Sequence, residues 1–433
     1  MCIESRRHKL ADNYIASLDI GTTSTRVVVG EFNEEDNLEI TGVGVAPSTG
    51  LRRGVVLNIE ATLNAVNASV DAAELMSGCE IHEVVLGLSG ANVDSLNSRG
   101  VVAVAGKGRE ITSEDIARVQ EAARAVSIPM DREILHVIPR TYMVDTQDNI
   151  HDPLHMIGVR LEADMHIITG AVTTTQNLEK CVTRAGYRVE KRVLNCYAAS
   201  RAVLTQEEKD LGCLLMDIGG GTTDLMVFSN GAPIYTCAIP AGGAQVTNDI
   251  SIMMSILLDN AEKLKREAAC CWMEAVDPEE FIVVPGIGGR DPSEIPRRKL
   301  CSIVQPRMEE IFLMAKEKLE KSGYLKEIRA GITLTGGTAQ MEGVCELAEF
   351  IFNVPVHIGL PPVIGGLESE YRNPAFATAV GLVMLAADEM TASVLSRGKG
   401  LKQGLRSRGP AKQGTPGKSS AGKIWSWLKD KFI

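Results

Sequence analysis

The chain reads as an α/β protein made of two related halves, with an α+β insertion in the first half and an amphipathic helix on a flexible linker near its last residues. Three observations predict this. Asp19-Ile20-Gly21-Thr22-Thr23 and Asp217-Ile218-Gly219-Gly220-Gly221-Thr222-Thr223-Asp224 repeat one Asp-x-Gly turn about two hundred residues apart. Each turn lies between apolar runs (14–18 and 27–29; 211–216 and 225–228), so each is expected to join two strands as a hairpin. The third observation is Ile332-Thr333-Leu334-Thr335-Gly336-Gly337-Thr338-Ala339, a strand running into a glycine turn ahead of a helix around 341–350.

The chemistry follows from residue type. Glycine lets backbone approach a ligand closely, and successive N–H groups and hydroxyls in such turns cradle phosphate oxygens. Gly21, Thr22 and Thr23 on one side and Gly219, Gly220, Gly221, Thr222 and Thr223 on the other are therefore candidate phosphate contacts. Asp19 and Asp217 are candidate Mg²⁺ ligands, directly or through water, because that ion favours a few carboxylates plus phosphate. Gly336, Gly337 and Thr338 would leave a flat backbone face for a base or sugar.

Between these turns the elements follow in order. Strands are expected at 27–30 and 38–45, a helix at 59–76 and a strand at 84–88. The pattern then changes to a strand at 101–105, a helix opened by Thr112 with Glu114 and Asp115 in its first turn, and an extended run at 134–144. This marks an insertion over 84–165. The first half resumes with a strand at 166–172, a helix opened by Thr173-Thr174-Thr175, a strand at 187–194 and a helix at 198–207. A second inserted segment, 261–323, contains a helix at 306–322 with Met308, Ile311, Phe312, Ala315 and Leu319 on one face.

Composition restricts the class. With 45% hydrophobic and 23% charged residues over 433 positions, the chain is an ordinary globular protein of two or more domains. No uninterrupted apolar run approaches the roughly 18 residues of a membrane span, and the charged start lacks the apolar core of a secretory signal. Ten scattered cysteines without CxxC spacing read as reduced thiols, and seven histidines form no metal-binding pattern.

The formal charge of −10 is uneven: residues 397–433 carry ten Lys plus Arg against Asp430, or +9, which leaves −19 elsewhere. An acidic body with a basic tail suits a partner with a negative surface. Residues 396–422 are glycine-, proline- and lysine-rich and read as linker. In 423–433, Ile424, Trp425, Trp427, Leu428 and Phe432 fall within an arc of roughly 160° if helical. Lys423, Ser426, Lys429 and Asp430 occupy the other side. So short a helix is marginal in water, and tryptophan suits a bilayer interface. Membrane surface is preferred to docking on the chain's own body or to nucleic acid, whose binding interleaves aromatics along a strand.

These three turns resemble the two phosphate motifs and the adenosine motif of the actin, sugar-kinase and DnaK-type ATPases. Within that superfamily the chain is most similar to the FtsA family of bacterial cell-division proteins, from about Tyr14 onward. Val203-Leu204-Thr205, Pro285-Gly286-Ile287-Gly288-Gly289-Arg290 and Ala379-Val380-Gly381-Leu382 share the resemblance. It implies subdomain IA at 13–83 and 166–204, IC at 84–165, IIA at 205–260 and 324–395, and IIB at 261–323. It implies ATP and Mg²⁺ as cofactors, with Glu262, Lys265 and Arg266 on ribose and base. It also implies filaments of the protein itself, capture of the FtsZ tail through Arg307 and Glu310, later division partners, and an anionic membrane surface at the division site. Asn195 stands where faster relatives often place an acid, so hydrolysis is expected to be slow. A sugar-kinase-like phosphotransferase is the alternative, which would have no use for a lipid-binding tail.

Overall fold

The computed structural model describes residues 14–90, 92–104, 109–286 and 291–404, with side chains as far as residue 392. The chain divides into two compact units between Ala387 and Asp388. The first half opens with a meander, β1 (Tyr14–Ile20), β2 (Ser24–Phe32) and β3 (Leu38–Pro47). A two-residue hairpin, β4 (Leu51–Arg52) and β5 (Val55–Val56), follows; no periodicity signalled it. Helix α1 (Ile59–Ser77) starts at Asn58, whose side chain accepts from Ala61 N, and stops at Gly78 in the left-handed conformation. Strand β6 (Glu83–Leu88) then pairs parallel with β1.

The insertion comprises β7 (Asp94–Ala103), α2 (Ser113–Arg124), β8 (Arg132–Val144), β9 (Gln147–Ile150) and β10 (Arg160–Ala171), in sheet order β7-β10-β8-β9. Thr112 caps α2 through a capping box with Asp115. The expected first-half strand at 166–172 is instead the last part of β10, paired with β7 and β8 in the insertion's sheet. Residues 160–165 alternate in polarity and 166–171 do not, so one strand crossing two environments looked like the end of one domain and the start of another.

After it come α3 (Val172–Arg184), β11 (Arg188–Leu194), α4 (Asn195–Val203) and α5 (Gln206–Leu211). The threonines at 173–175 lie inside α3 and do not cap it; the cap position is Ala171, without a side-chain bond. The single helix expected at 198–207 is α4 and α5, split where Thr205 caps α5 with Glu208.

The second half repeats the first. β12 (Cys213–Ile218), β13 (Thr223–Ser229) and β14 (Ala232–Ile239) form a meander, followed by α6 (Gly243–Met254), α7 (Leu258–Ala268), β15 (Phe281–Val284), β16 (Ser293–Pro296), α8 (Arg297–Ser322), β17 (Gly331–Thr335), α9 (Val344–Phe352) and β18 (Val356–Ile358). Its sheet runs β14-β13-β12-β17-β18, and that of the first half runs β3-β2-β1-β6-β11. In each sheet an antiparallel meander is extended by two parallel strands, one beside the strand that carries the Asp-x-Gly turn.

Burial explains the halves' cohesion. Met308, Ile311, Phe312, Ala315 and Leu319 are fully buried along α8, as their spacing predicts, in the core of the second half. A separate cluster joins the pieces: Ile168 of the insertion and Leu194 and Ala199 of the first half pack with Leu215, Met226 and Phe228 of the second. The last helix, α10 (Ala377–Gly404), ends inside the segment expected to be linker, so residues 396–404 are helical. Residues 374–392 are long and apolar enough to cross a membrane. Ala379, Val380, Leu382 and Val383 are nevertheless buried with Val28, Val85 and Ala198, which makes this a core helix. The rest of the expected linker and the residues expected to bind membrane, Ile424, Trp425, Trp427, Leu428 and Phe432, lie outside the described residues.

Candidate nucleotide site

Both Asp-x-Gly turns are the hairpin connections expected of them, with identical register: Ile20 faces Thr25, and Ile218 faces Thr223. Gly21 N donates to Ser24 O at 3.1 Å, and Gly219 N to Thr222 O at 2.9 Å. The turns approach each other from opposite halves. A Cβ on Gly220 would lie 2.6 Å from Thr23 Cγ2, and one on Gly221 would lie 2.4 Å from Thr22 Oγ1. Only glycine permits that approach.

The third turn docks on the second. Gly336 has φ +86, and a Cβ there would strike Asp217 Oδ1 at 2.3 Å. Thr338 Oγ1 donates to Gly219 O at 3.0 Å, and Gly243 N, at the start of α6, donates to the same oxygen at 3.0 Å. Gly337 presents an open face, with its nearest neighbour, Ala375 Cβ, 3.8 Å from a would-be Cβ.

Charge is concentrated between the turns. Asp19 is buried; it accepts from Asn195 Nδ2 at 2.9 Å and lies 3.9 Å from Arg26 Nη1. Arg26 is its cross-strand partner and also covers the Phe376 ring at 5.3 Å. The equivalent cross-strand partner of Asp217 is another acid, Asp224. Burial, then Asp19, pushes Asp217 up to about 6, even though Thr378 Oγ1 donates to it at 3.2 Å. Burial, then Asp217 and Asp19, drives Asp224 well above the carboxylate range, and its Oδ1 has no hydrogen-bond partner. Three buried acids thus have one guanidinium near them, which acts on Asp19 and Asp217 but not on Asp224, and a divalent cation would favour their ionised forms. Among the described residues no three acids, histidines or thiols converge as a complete cage. A cation there would need phosphate and water to complete its shell, as Mg²⁺ prefers.

Asn195 is buried at the start of α4. Its amide nitrogen is committed to Asp19, and its Oδ1 has no donor. That leaves an acceptor able to orient a water but not to take its proton. On α7, Glu262 Oε2 accepts from Lys265 Nζ at 2.7 Å and from Thr247 Oγ1 at 2.5 Å. Lys265 also donates to Gly243 O at 3.2 Å. The Lys265 stem expected to flank a base thus ends in an ammonium tied into the wall, while Glu262 Oε1 has no partner among the described residues. Arg266 is exposed and close enough to Arg26 to oppose its charge. Arg26, Asp224 and Thr378 were missed as site residues; equal turn lengths in the two hairpins set the register that places the first two.

Arg307 and Glu310 lie elsewhere, on α8. Arg307 is not a free cation: Nε and Nη2 grip Asp249 of α6 at 2.6 and 3.1 Å, and Nη1 reaches Glu310. One turn beyond Asp249, Ile252 and Met253 are 65% and 68% exposed.

Two sheets of identical strand plan, with glycine turns meeting over buried carboxylates, define an actin-like ATPase fold. Solved structures agree on the fold. The PilM–PilN type IV pilus biogenesis complex matches with a TM-score of 0.59 at 17% identity, covering 86% of this chain and 98% of that one. MreB5 of Spiroplasma citri bound to ADP matches at 0.52 and 15%, covering 89% and 99%. The family model "Cell division protein FtsA" matches residues 214–381, and "SHS2 domain inserted in FTSA" matches residues 90–169. Cell division protein FtsA of Pseudomonas aeruginosa is 44% identical over 384 residues, 88% of this chain and 92% of the relative. That of Escherichia coli K12 is 36% identical over 376 residues, 85% and 89%. The chain belongs to the FtsA family of cell-division proteins.

Proposed function

We propose that this chain is an ATP-binding, self-polymerising tether that fastens FtsZ filaments to the cytoplasmic face of the plasma membrane at the division septum and recruits later division proteins. The observation that carries the nucleotide reading is the meeting of the two phosphate turns over a buried carboxylate cluster with one orphaned oxygen. Asp19 and Asp217 would hold Mg²⁺, which when bound offsets the charge of phosphates and carboxylates together. The turn N–H groups orient phosphate, Glu262 Oε1 takes a ribose hydroxyl, and the open face of Gly337 accepts the adenosine. Asn195 can hold a water without deprotonating it, so turnover is slow and nucleotide acts chiefly on assembly.

Following the family's partition, but keeping β6 with its partner β1 and β10 with its partners β7 and β8, we assign 13–88 with 172–204 to IA, 89–171 to IC, 205–260 with 324–395 to IIA and 261–323 to IIB. The FtsZ tail is read onto the edge of IIB that meets IIA, where Arg307 and Glu310 of IIB lie beside Asp249 and exposed Ile252 and Met253 of IIA. An acidic peptide would share the Arg307 guanidinium with Asp249 and Glu310, beside the apolar edge of Ile252 and Met253. Residues 423–433 supply the anchor: five large apolar side chains offer roughly 1.5–3 kcal/mol each, gross. Ordering the helix and partial interfacial burial reduce that sum, and filament avidity restores the grip.

The test is flotation of the full chain with anionic vesicles and a fluorescent FtsZ tail peptide. The peptide should float only when the chain is present, and Trp427→Glu should leave both in solution. A Trp427→Glu protein that floats like wild type would overturn the anchor.

A further inference from the structure

The hairpin β4–β5 has a two-residue loop, Arg53-Gly54, closed by Arg52 facing Val55. Both loop residues have positive φ, +53 and +74, as a type I′ hairpin turn demands. Glycine suits the second position. The first favours asparagine, aspartate or glycine, and a long unbranched cation there holds a conformation it disfavours. Strain of this kind is retained where the side chain is needed.

The tip is wedged in place. A Cβ on Gly54 would lie 2.7 Å from Gly90 Cα, so the loop rests on the backbone that follows β6. On its other side, a Cβ on Gly221 would lie 2.9 Å from Arg53 N and 3.0 Å from Arg53 Cα. The first half thereby sets an arginine directly against the phosphate turn of the second half. Its side chain is exposed, and no carboxylate among the described residues lies within ion-pair distance of it. Of the other cations around the cleft, Arg26 is committed to Asp19 and Phe376 and Lys265 to Glu262 and Thr247, while Arg266 is exposed on α7.

We infer that Arg53 is an anion contact for the terminal phosphate of the bound nucleotide, so that the hairpin distinguishes a nucleoside triphosphate from a diphosphate. The inference rests on the nucleotide reading of this site. A guanidinium offers phosphate a planar pair of donors, and one anchored beside Gly221 comes from the half opposite to that turn. The contact would close only when the two halves and the outermost phosphate are all in place.

The substitution Arg53→Asn separates this role from a structural one, because asparagine suits the left-handed position better than arginine does. MgATP and MgADP binding would be measured by calorimetry on the full chain, together with the thermal midpoint of the nucleotide-free protein. Arg53→Asn should weaken MgATP by about tenfold or more, as expected for losing one charge-assisted hydrogen bond. MgADP affinity should change by less than about twofold, and the nucleotide-free midpoint should hold or rise. Arg53→Lys should recover part of the MgATP affinity, because it restores charge without the fork. Equal losses for both nucleotides, or unchanged MgATP affinity, would overturn the contact. A wild type that binds neither nucleotide would overturn the nucleotide reading itself, and Arg53 with it.

Discussion

The insertion is latched to the second half through a buried histidine, and its removal has a calculable pH signature. Asn97 Nδ2 donates to Ile234 O and Tyr324 OH, both at 3.0 Å, so its Oδ1 faces His166 Nδ1 at 2.8 Å and accepts. His166 therefore carries its proton on Nδ1, and Nε2, 2.9 Å from Thr236 Oγ1, accepts from that hydroxyl. Ser95 adds a reciprocal pair with Thr236, its Oγ donating to the carbonyl and accepting from the N–H, each at 2.8 Å. Together these bonds cover the edge strand β14. Burial, then Arg140, lowers His166 from 6.5 to about 3. With the folded value below the unfolded one, its contribution is complete above pH 6.5 and is lost as pH falls, because the unfolded chain binds a proton that the folded one refuses. At pH 5.0 the loss is about 2 kcal/mol, from 1.36 kcal/mol per unit over roughly 1.5 units. His166→Gln has no such penalty but cannot reach both partners, which should cost about 1–2 kcal/mol at pH 7.5. Urea midpoints of the two proteins should thus differ at pH 7.5 and converge or cross at pH 5.0. His136, also buried and lowered to about 4, is common to both proteins and cancels. Parallel stability curves over this range would refute the neutral, doubly bonded histidine.

Two further outcomes test the cleft and the partner surface. Asp217→Asn removes a carboxylate that folding raises to about 6. Since ionising it opposes folding above that pH, the nucleotide-free variant should be the more stable by about 3 kcal/mol at pH 7.5 and lose that advantage near pH 4. The same change should abolish the Mg²⁺ dependence of ATP affinity in calorimetry, and a variant that keeps it would remove Asp217 from the metal. Arg307→Glu places an acid against Asp249 and Glu310, so FtsZ tail peptide binding, measured by anisotropy, should fall at least about tenfold. ATP affinity should not move, and an equal loss of both would point to misfolding.

Local signals were legible in the sequence and long-range ones were not. The turns at 21–23 and 219–222 announced themselves because a hairpin needs glycine and threonine within a few residues of its strands. Thr112 announced α2 because a capping box is confined to four residues. By contrast, Arg307 meets Asp249 across 58 positions and His166 meets Thr236 across 70, so no periodicity encodes either pair. Strand β10 failed for another reason. Two-state alternation assumes that one face meets solvent, and β10 lies beneath α2 early in its course and against β14 later, so both faces are buried where His166, Ile167 and Ile168 lie.

Equal hairpins with unequal partners explain why the two halves are not interchangeable. In the first, the residue facing Asp19 is Arg26, and the pair approaches neutrality within the fold. In the second, the residue facing Asp217 is Asp224, and both carboxyls are pushed upward by burial and by each other. A protein selected only for stability would replace Asp224 with an apolar residue, because like charges directly opposed on a sheet are unfavourable. Keeping it leaves two carboxyls on one wall of the cleft that burial and proximity hold toward their neutral forms, while the other wall stays nearly balanced. A divalent cation carried in with phosphate would favour their ionised forms, beside the place where Thr22 and Thr23 meet Gly220 and Gly221. Closure of the halves and occupancy of the site would then be one equilibrium, since the carboxyls that are costly to ionise in the empty cleft are those a bound cation would stabilise as anions.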